Sequence, residues 1–208
     1  MRKVFITGVP ASREISKNKY QTTERCRIKP CEEVFFPSTM VMETMVDDKA
    51  DEEYQVVTVS YGTDFAKRNI DTLKSELAER GFKNDIKSIF LPGDDAEMSR
   101  RVLLELIDCI HQGDDVYVNI EFGKRPVMLT VLYGIEIVDN GLDDVEVEGI
   151  FYGETRSYEA PEEYVMHDVS YLYYLGQMVR DLEIEDENDL KKRITGILSL
   201  GIEMQAEE

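Results

Sequence analysis

Along residues 1–152, short β-branched runs alternate with segments whose apolar residues recur every three or four positions. The runs predict strands at Lys3–Thr7, Tyr54–Tyr61, Ile86–Leu91, Val116–Ile120 and Val145–Tyr152. Between them, Thr39–Met45 has helical spacing. A second helix follows the turn and cap Gly62-Thr63-Asp64, with Phe65, Ile70, Leu73 and Leu77 on its apolar side and Gly81 at its end. A third follows Asp94-Asp95, its stripe made of Met98, Val102, Leu103, Leu106, Ile107 and Ile110 before Gly113. A fourth, Val127–Val138, is apolar on nearly every side, and Asn140-Gly141 breaks it. Such a helix needs a second covering surface, and in a domain this small another subunit can supply it. The stretch from Gly8 to Pro30 is polar and carries no helical stripe; Arg25-Cys26-Arg27-Ile28-Lys29 alternates and predicts a short strand within it.

After Gly153 the pattern changes. Residues 154–164 are polar and turn-like, and two helices are expected at Val169–Leu182 and Asn188–Met204. Strand–helix alternation calls for an α/β fold: a mostly parallel sheet with helices on both faces, plus a C-terminal helical segment. Residues 1–168 are expected to form the ligand-binding domain and 169–208 a helical extension. In such sheets ligands bind beyond the carboxyl ends of the strands.

Charge narrows the partners. The chain of 208 residues carries a net −19, which argues against duplex nucleic acid. Yet residues 1–30 hold eight basic side chains against Glu14 and Glu24, a local +6. Two readings stand: a solvated basic loop, or a local field that holds a small polyanion. No apolar run is long enough to span a membrane, and the N-terminal one is too brief for a signal-peptide core. Three cysteines, Cys26, Cys31 and Cys109, make no even framework and no metal spacing; a reducing cytoplasm is expected. Two histidines, His111 and His167, leave little for a zinc site or a histidine-based triad, so neither metal nor cofactor is expected.

Three strand ends offer chemistry. The first is Thr7-Gly8-Val9-Pro10-Ala11-Ser12-Arg13, the second Ser60-Tyr61-Gly62-Thr63, and the third Glu121-Phe122-Gly123-Lys124-Arg125-Pro126. In the third, a glycine allows close backbone approach. Two cations then stand at a helix start, where free N–H groups already favour an anion. Cations there are unfavourable for folding unless an anion comes between; Pro126 alone also suits a plain helix start. There is no G-x-x-x-x-G-K-[ST] and no G-x-G-x-x-G after the first strand, so neither a P-loop nor a standard dinucleotide site is expected.

In this order the residues resemble the CARF (CRISPR-associated Rossmann fold) domains of type III CRISPR antiviral defence. The resemblance runs over roughly residues 3–175. It rests on Val4-Phe5-Ile6-Thr7-Gly8, Tyr20 with Arg25–Lys29, Val34-Phe35-Phe36-Pro37-Ser38, Tyr61-Gly62-Thr63, Asn119-Ile120-Glu121-Phe122-Gly123-Lys124-Arg125 and Ile150-Phe151-Tyr152-Gly153. It implies a Rossmann-like homodimer that binds one cyclic oligoadenylate ring, with cyclic tetra-adenylate the expected size, across its two-fold axis. It places Gly8–Arg13 and Gly123–Arg125 around the ring, with Gly62, Thr63, Glu121 and Phe122 beside them. Glu121 and Phe122 depart from the small or hydrogen-bonding residues common there; a glutamate facing phosphate repels it, so Glu121 is expected to point away or to meet a base or ribose.

The ribonuclease often appended in that family carries Arg-x4–6-His. Here no histidine follows His167 and Arg156 lies too far before it. The expected function is a sensor that passes its signal to a separate effector protein or to an effector part beyond this chain. The alternative is a ring nuclease, in which Ser12 and Lys124 act on the phosphodiester with no metal. A third reading is a metabolite-binding protein outside defence.

Overall fold

The computed structural model describes residues 1–24, 26–83, 86–91, 95–122, 125–155, 164–180, 182, 184 and 186–203. The chain divides into two compact units, Met1–Asp168 and Val169–Glu208.

The first unit is α/β. Its elements are β1 (Arg2–Gly8), β2 (Tyr20–Thr22), α1 (Pro37–Met45), β3 (Tyr54–Tyr61), α2 (Asp64–Glu79), β4 (Ile86–Leu91), α3 (Asp95–Ile107), β5 (Asp114–Asn119), α4 (Arg125–Gly141), β6 (Glu146–Thr155) and β7 (Tyr164–Asp168). The strands form one sheet in the order β2-β7-β6-β5-β1-β3-β4. All neighbours are parallel except β6 and β7. Right-handed crossovers put α1 and α2 on one face, α3 and α4 on the other. Alternation along the strands fills both sides. Phe5, Val56, Tyr117 and Phe151 pack in one core with Met40 and Met42 of α1 and Ile70, Leu73 and Leu77 of α2. Val4, Ile6, Val57, Val59, Val116 and Val118 are buried on the opposite face, as are Val102 and Leu106 of α3 and Val131 and Ile135 of α4. Each such side chain contributes about 1.5–3 kcal/mol by leaving water. Gly134 allows α3 and α4 to close up, since a β-carbon there would sit 3.0 Å from Leu106.

Several sequence expectations are corrected. Residues 26–29 are not a strand; the short strand is β2, at Tyr20–Thr22, and its edge position needs only three residues. Residue 164, expected at the end of a turn-like stretch, and 165–168, for which no element was expected, form β7, held by antiparallel pairing to β6. Phe65 faces solvent with Arg68 over its ring, and Ile107 is exposed at the end of α3, which stops before Ile110. α4 runs through Asn140 and includes Gly141. Its inner face, with Val127, Met128, Val131, Ile135 and Val138, is buried, while Leu129, Tyr133 and Ile137, four residues apart, are 56%, 66% and 51% exposed.

The second unit contains α5 (Ser170–Arg180) and α6 (Glu187–Glu203). Tyr171, Leu172, Tyr174 and Met178 of α5 are exposed. Among the described residues no helix is long and apolar enough to cross a membrane.

Candidate functional site

After β1 the chain adds the edge strand β2 and then returns through α1 to β3, beside β1 on one side of the sheet, whereas it leaves β5 through α4 for β6 on the other. The crevice between the ends of β1 and β5 is therefore the topological switch point, where such sheets take ligands. Two loops meet there. Gly8 lies against the turn after β5 so closely that a β-carbon would fall 1.7 Å from the Phe122 carbonyl oxygen. Only glycine admits that approach. The Phe122 ring in turn stands edge-on to Phe36, the residue before α1, with centroids 5.7 Å apart.

The loop after β1 is polar yet fixed, because its carbonyls are taken one after another. Ser60 Oγ donates to the Val9 carbonyl at 2.7 Å, and Thr63 Oγ1 to that of Ala11 at 2.7 Å. Asn69 Nδ2, buried on α2, donates to Pro10 at 2.9 Å and to Arg13 at 2.8 Å. Thr63 also caps α2, accepting from the Ala66 amide at 3.2 Å. One side chain thus starts a helix and holds the loop beside it.

Between the loops opens a cleft of about 500 Å³, lined by Val9, Pro10, Ala11, Ser12, Arg13, Val59, Ser60, Tyr61, Thr63, Glu121, Phe122 and Val127. Among the described lining residues Arg13 is the one cation and Glu121 the one carboxylate. Ser12 and Arg13 are exposed. A second cavity, about 430 Å³, lies along α2 with Asp71, Glu76 and Glu79 on its wall beside Lys17 and Arg68. No strand end of the sheet opens into it, so the switch-point cleft is the better site.

Glu121 occupies the cleft wall in an unusual state. Tyr20 on β2 donates its hydroxyl to Oε1 at 2.7 Å. Oε2 is buried with no hydrogen-bond partner among the described residues, as is Nδ2 of neighbouring Asn119. Gly153 on β6 makes room for it, since a β-carbon there would stand 2.2 Å from Oε2. Burial pushes the Glu121 carboxyl up to about 8, against the opposing pulls of the Tyr20 hydroxyl and the Arg13 charge. At pH 7 it is therefore mostly neutral, which removes the repulsion that a glutamate beside phosphate would otherwise exert.

The sequence-predicted residues divide clearly. Val9, Pro10, Ala11, Ser12, Arg13, Thr63, Glu121 and Phe122 meet at the cleft, with Gly8 beneath Phe122. Gly62 follows the end of β3 and is outside the lining. Arg125 opens α4 as an exposed residue and does not line the cleft. Gly123 and Lys124 lie outside the described residues. Ser60 and Tyr61, of the second strand end, also line the cleft, as do Val59 and Val127, which the sequence did not single out. The basic N-terminal stretch is partly spent on the fold: Arg2 pairs with Asp114, Lys3 with Glu52 and Arg27 with Asp168. Among the described residues Arg13 makes no ion pair, and no three metal-binding side chains gather. Neither His111 nor His167 lines the cleft.

No protein-family model matches the chain, and no curated protein matches it.

Proposed function

We propose that this chain is a CARF-type sensor, a homodimer that binds a cyclic oligoadenylate, with cyclic tetra-adenylate the expected ring. The observation that carries the reading is the switch-point cleft, in which an unpaired Arg13 and Ser12 stand on a loop pinned through its carbonyls. Among the described residues Arg13 makes no ion pair, so its exposed cation is available to a phosphate, and Glu121, kept mostly neutral by burial, does not oppose one. Arg125, the first residue of α4, is exposed outside the cleft lining, and the helix N-terminus it opens favours an anion; Lys124, next to it in sequence, is expected to add to that charge. The exposed stripe Leu129, Tyr133 and Ile137 runs along α4, the helix whose first turn supplies Val127 to the cleft. A two-fold contact through that stripe brings two clefts together, and a symmetric ring fits a symmetric pair of sites.

A second reading, cleavage of the ring, is favoured by one arrangement: an exposed Ser12 beside Arg13 in the same cleft. In it Arg13 and Lys124 would steady the charge that develops on the phosphate while Ser12 positions the attacking 2′-hydroxyl.

Calorimetry against a panel of cyclic oligoadenylates, followed by chromatography of the recovered ligand, tests both. The sensor reading expects one ring size to bind with an affinity that weakens as salt rises, and to come off uncut. A cut product that Ser12→Ala suppresses moves the chain to the nuclease reading. No binding by any ring, or salt-independent binding of an uncharged metabolite, removes it from both.

A further inference from the structure

We propose that Glu121 takes up a proton when the cleft binds its anionic ligand, so that binding at this site is linked to pH. The proposal rests on the reading of the cleft as a phosphate-bearing ligand's site, and it assigns to Glu121 a positioning role.

The geometry requires the coupling. Glu121 and Arg13 share one cleft of about 500 Å³ as its one carboxylate and one cation among the described lining residues. Without a ligand, the Tyr20 hydroxyl and then the Arg13 charge favour an ionised Glu121. A phosphate at Arg13 cancels that charge and brings its own negative charge to the same wall. Both changes disfavour the carboxylate. The second acid oxygen gives the proton a place: Oε1 already accepts from Tyr20 at 2.7 Å, whereas Oε2 is buried and has no partner among the described residues. Around this pair, the Tyr164 ring of β7 lies tilted against Tyr20 with centroids 5.2 Å apart, and the Tyr164 hydroxyl and the Glu76 carboxyl of α2 act on the Tyr20 phenol. Gly153 of β6, Phe122 and Phe36 contribute no charge.

With a free carboxyl at about 8, close to half of the Glu121 side chains are ionised at pH 8. Binding at pH 8 then takes up roughly half a proton, drawn from the buffer. Affinity falls as pH rises, by about tenfold between pH 7 and pH 9, because the ligand must first pull a proton onto Glu121. Ring phosphodiesters stay fully ionised across this window, and arginine stays protonated.

The test is calorimetry of cyclic tetra-adenylate at pH 8 in buffers of different ionisation enthalpy, with affinity measured from pH 7 to pH 9. Wild type should take up about half a proton per site. Glu121→Gln, which keeps the side-chain shape and the acceptor for Tyr20, should take up none and lose the pH slope. Tyr20→Phe removes a bond that favours the ionised form, so its slope should begin at higher pH; folding of both variants is checked by circular dichroism. Ring binding by wild type with no proton uptake, or a slope unchanged in Glu121→Gln, overturns the role of Glu121 and leaves the sensor reading standing. A wild type that binds no ring from pH 7 to pH 9 overturns the sensor reading, and this one with it.

Discussion

Glu76 and Glu121 are both buried carboxyls on the same side of the sheet, and the fold treats them in opposite ways. Glu76, on α2, accepts from the Phe35 amide at 2.7 Å, the Phe36 amide at 3.2 Å and the Thr39 hydroxyl at 2.7 Å. Those donors stand at the start of α1, so Glu76 supplies the acceptors that a helix N-terminus lacks, in place of a side-chain cap at Phe36. Burial pushes its carboxyl up, and three donors pull it back. Glu121 has one donor and one oxygen with no partner, and its carboxyl stands at about 8. A satisfied buried acid is a joint; a half-satisfied one at a cleft is held ready for a change of state.

The largest effect expected from breaking this contrast comes from Glu76→Ala. It leaves two buried amides and a hydroxyl without acceptors, and urea unfolding should show a loss of about 3–5 kcal/mol. A loss under 1 kcal/mol would make Glu76 dispensable and the contrast empty.

Glu121→Gln should act with the opposite sign. A carboxyl raised from 4.5 to about 8 by folding lends full stability below pH 4.5, which is lost as pH rises through 8. The variant removes that loss, so near pH 5 it should match wild type closely. At pH 9 it should be more stable by about 2–4 kcal/mol. Thermal melts across that range check the sign, and a variant destabilised at pH 9 would mean that the ionised carboxylate is held by donors.

Gly153→Ala should follow. Its β-carbon would stand 2.2 Å from Glu121 Oε2 and 2.9 Å from a Tyr20 ring carbon, so the acid must move and the Tyr20 bond is lost. A cost of about 1–3 kcal/mol in urea, as for overpacking, is expected, together with a lower midpoint for Glu121 by carboxyl infrared titration as the acid leaves its buried seat. The smallest effect belongs to Tyr20→Phe, about 1 kcal/mol for one hydrogen bond, with the Glu121 midpoint moving up.

Much of this architecture was legible in the sequence. The β-branched run at Tyr54–Tyr61, the cap at Thr63 and the stripe Ile70, Leu73 and Leu77 carry local signals, and the structure follows them. The exposed stripe on α4 was visible too, as more apolar residues than one helix face can bury. β7 was not legible, because Tyr164–Asp168 becomes a strand only by pairing with β6. The gathering of Gly8, Ser12, Arg13, Thr63 and Glu121 followed from their places at strand ends. The state of Glu121 did not, since its one donor, Tyr20, lies 101 positions away and Gly153 on a third strand shapes its seat. Asn69 was hidden likewise: a polar residue inside a helical stripe reveals nothing of the loop carbonyls it holds.

The most direct test of the central claim is the stoichiometry and charge dependence of ring binding. Titration of cyclic tetra-adenylate into the protein at low salt should saturate at one ring per two chains. Arg13→Ala should weaken binding by about tenfold to a hundredfold, the loss expected for a charge-assisted phosphate contact, and Lys124→Ala and Arg125→Ala should each do the same. A folded Arg13→Ala, Lys124→Ala variant that binds the ring with wild-type affinity would contradict the account.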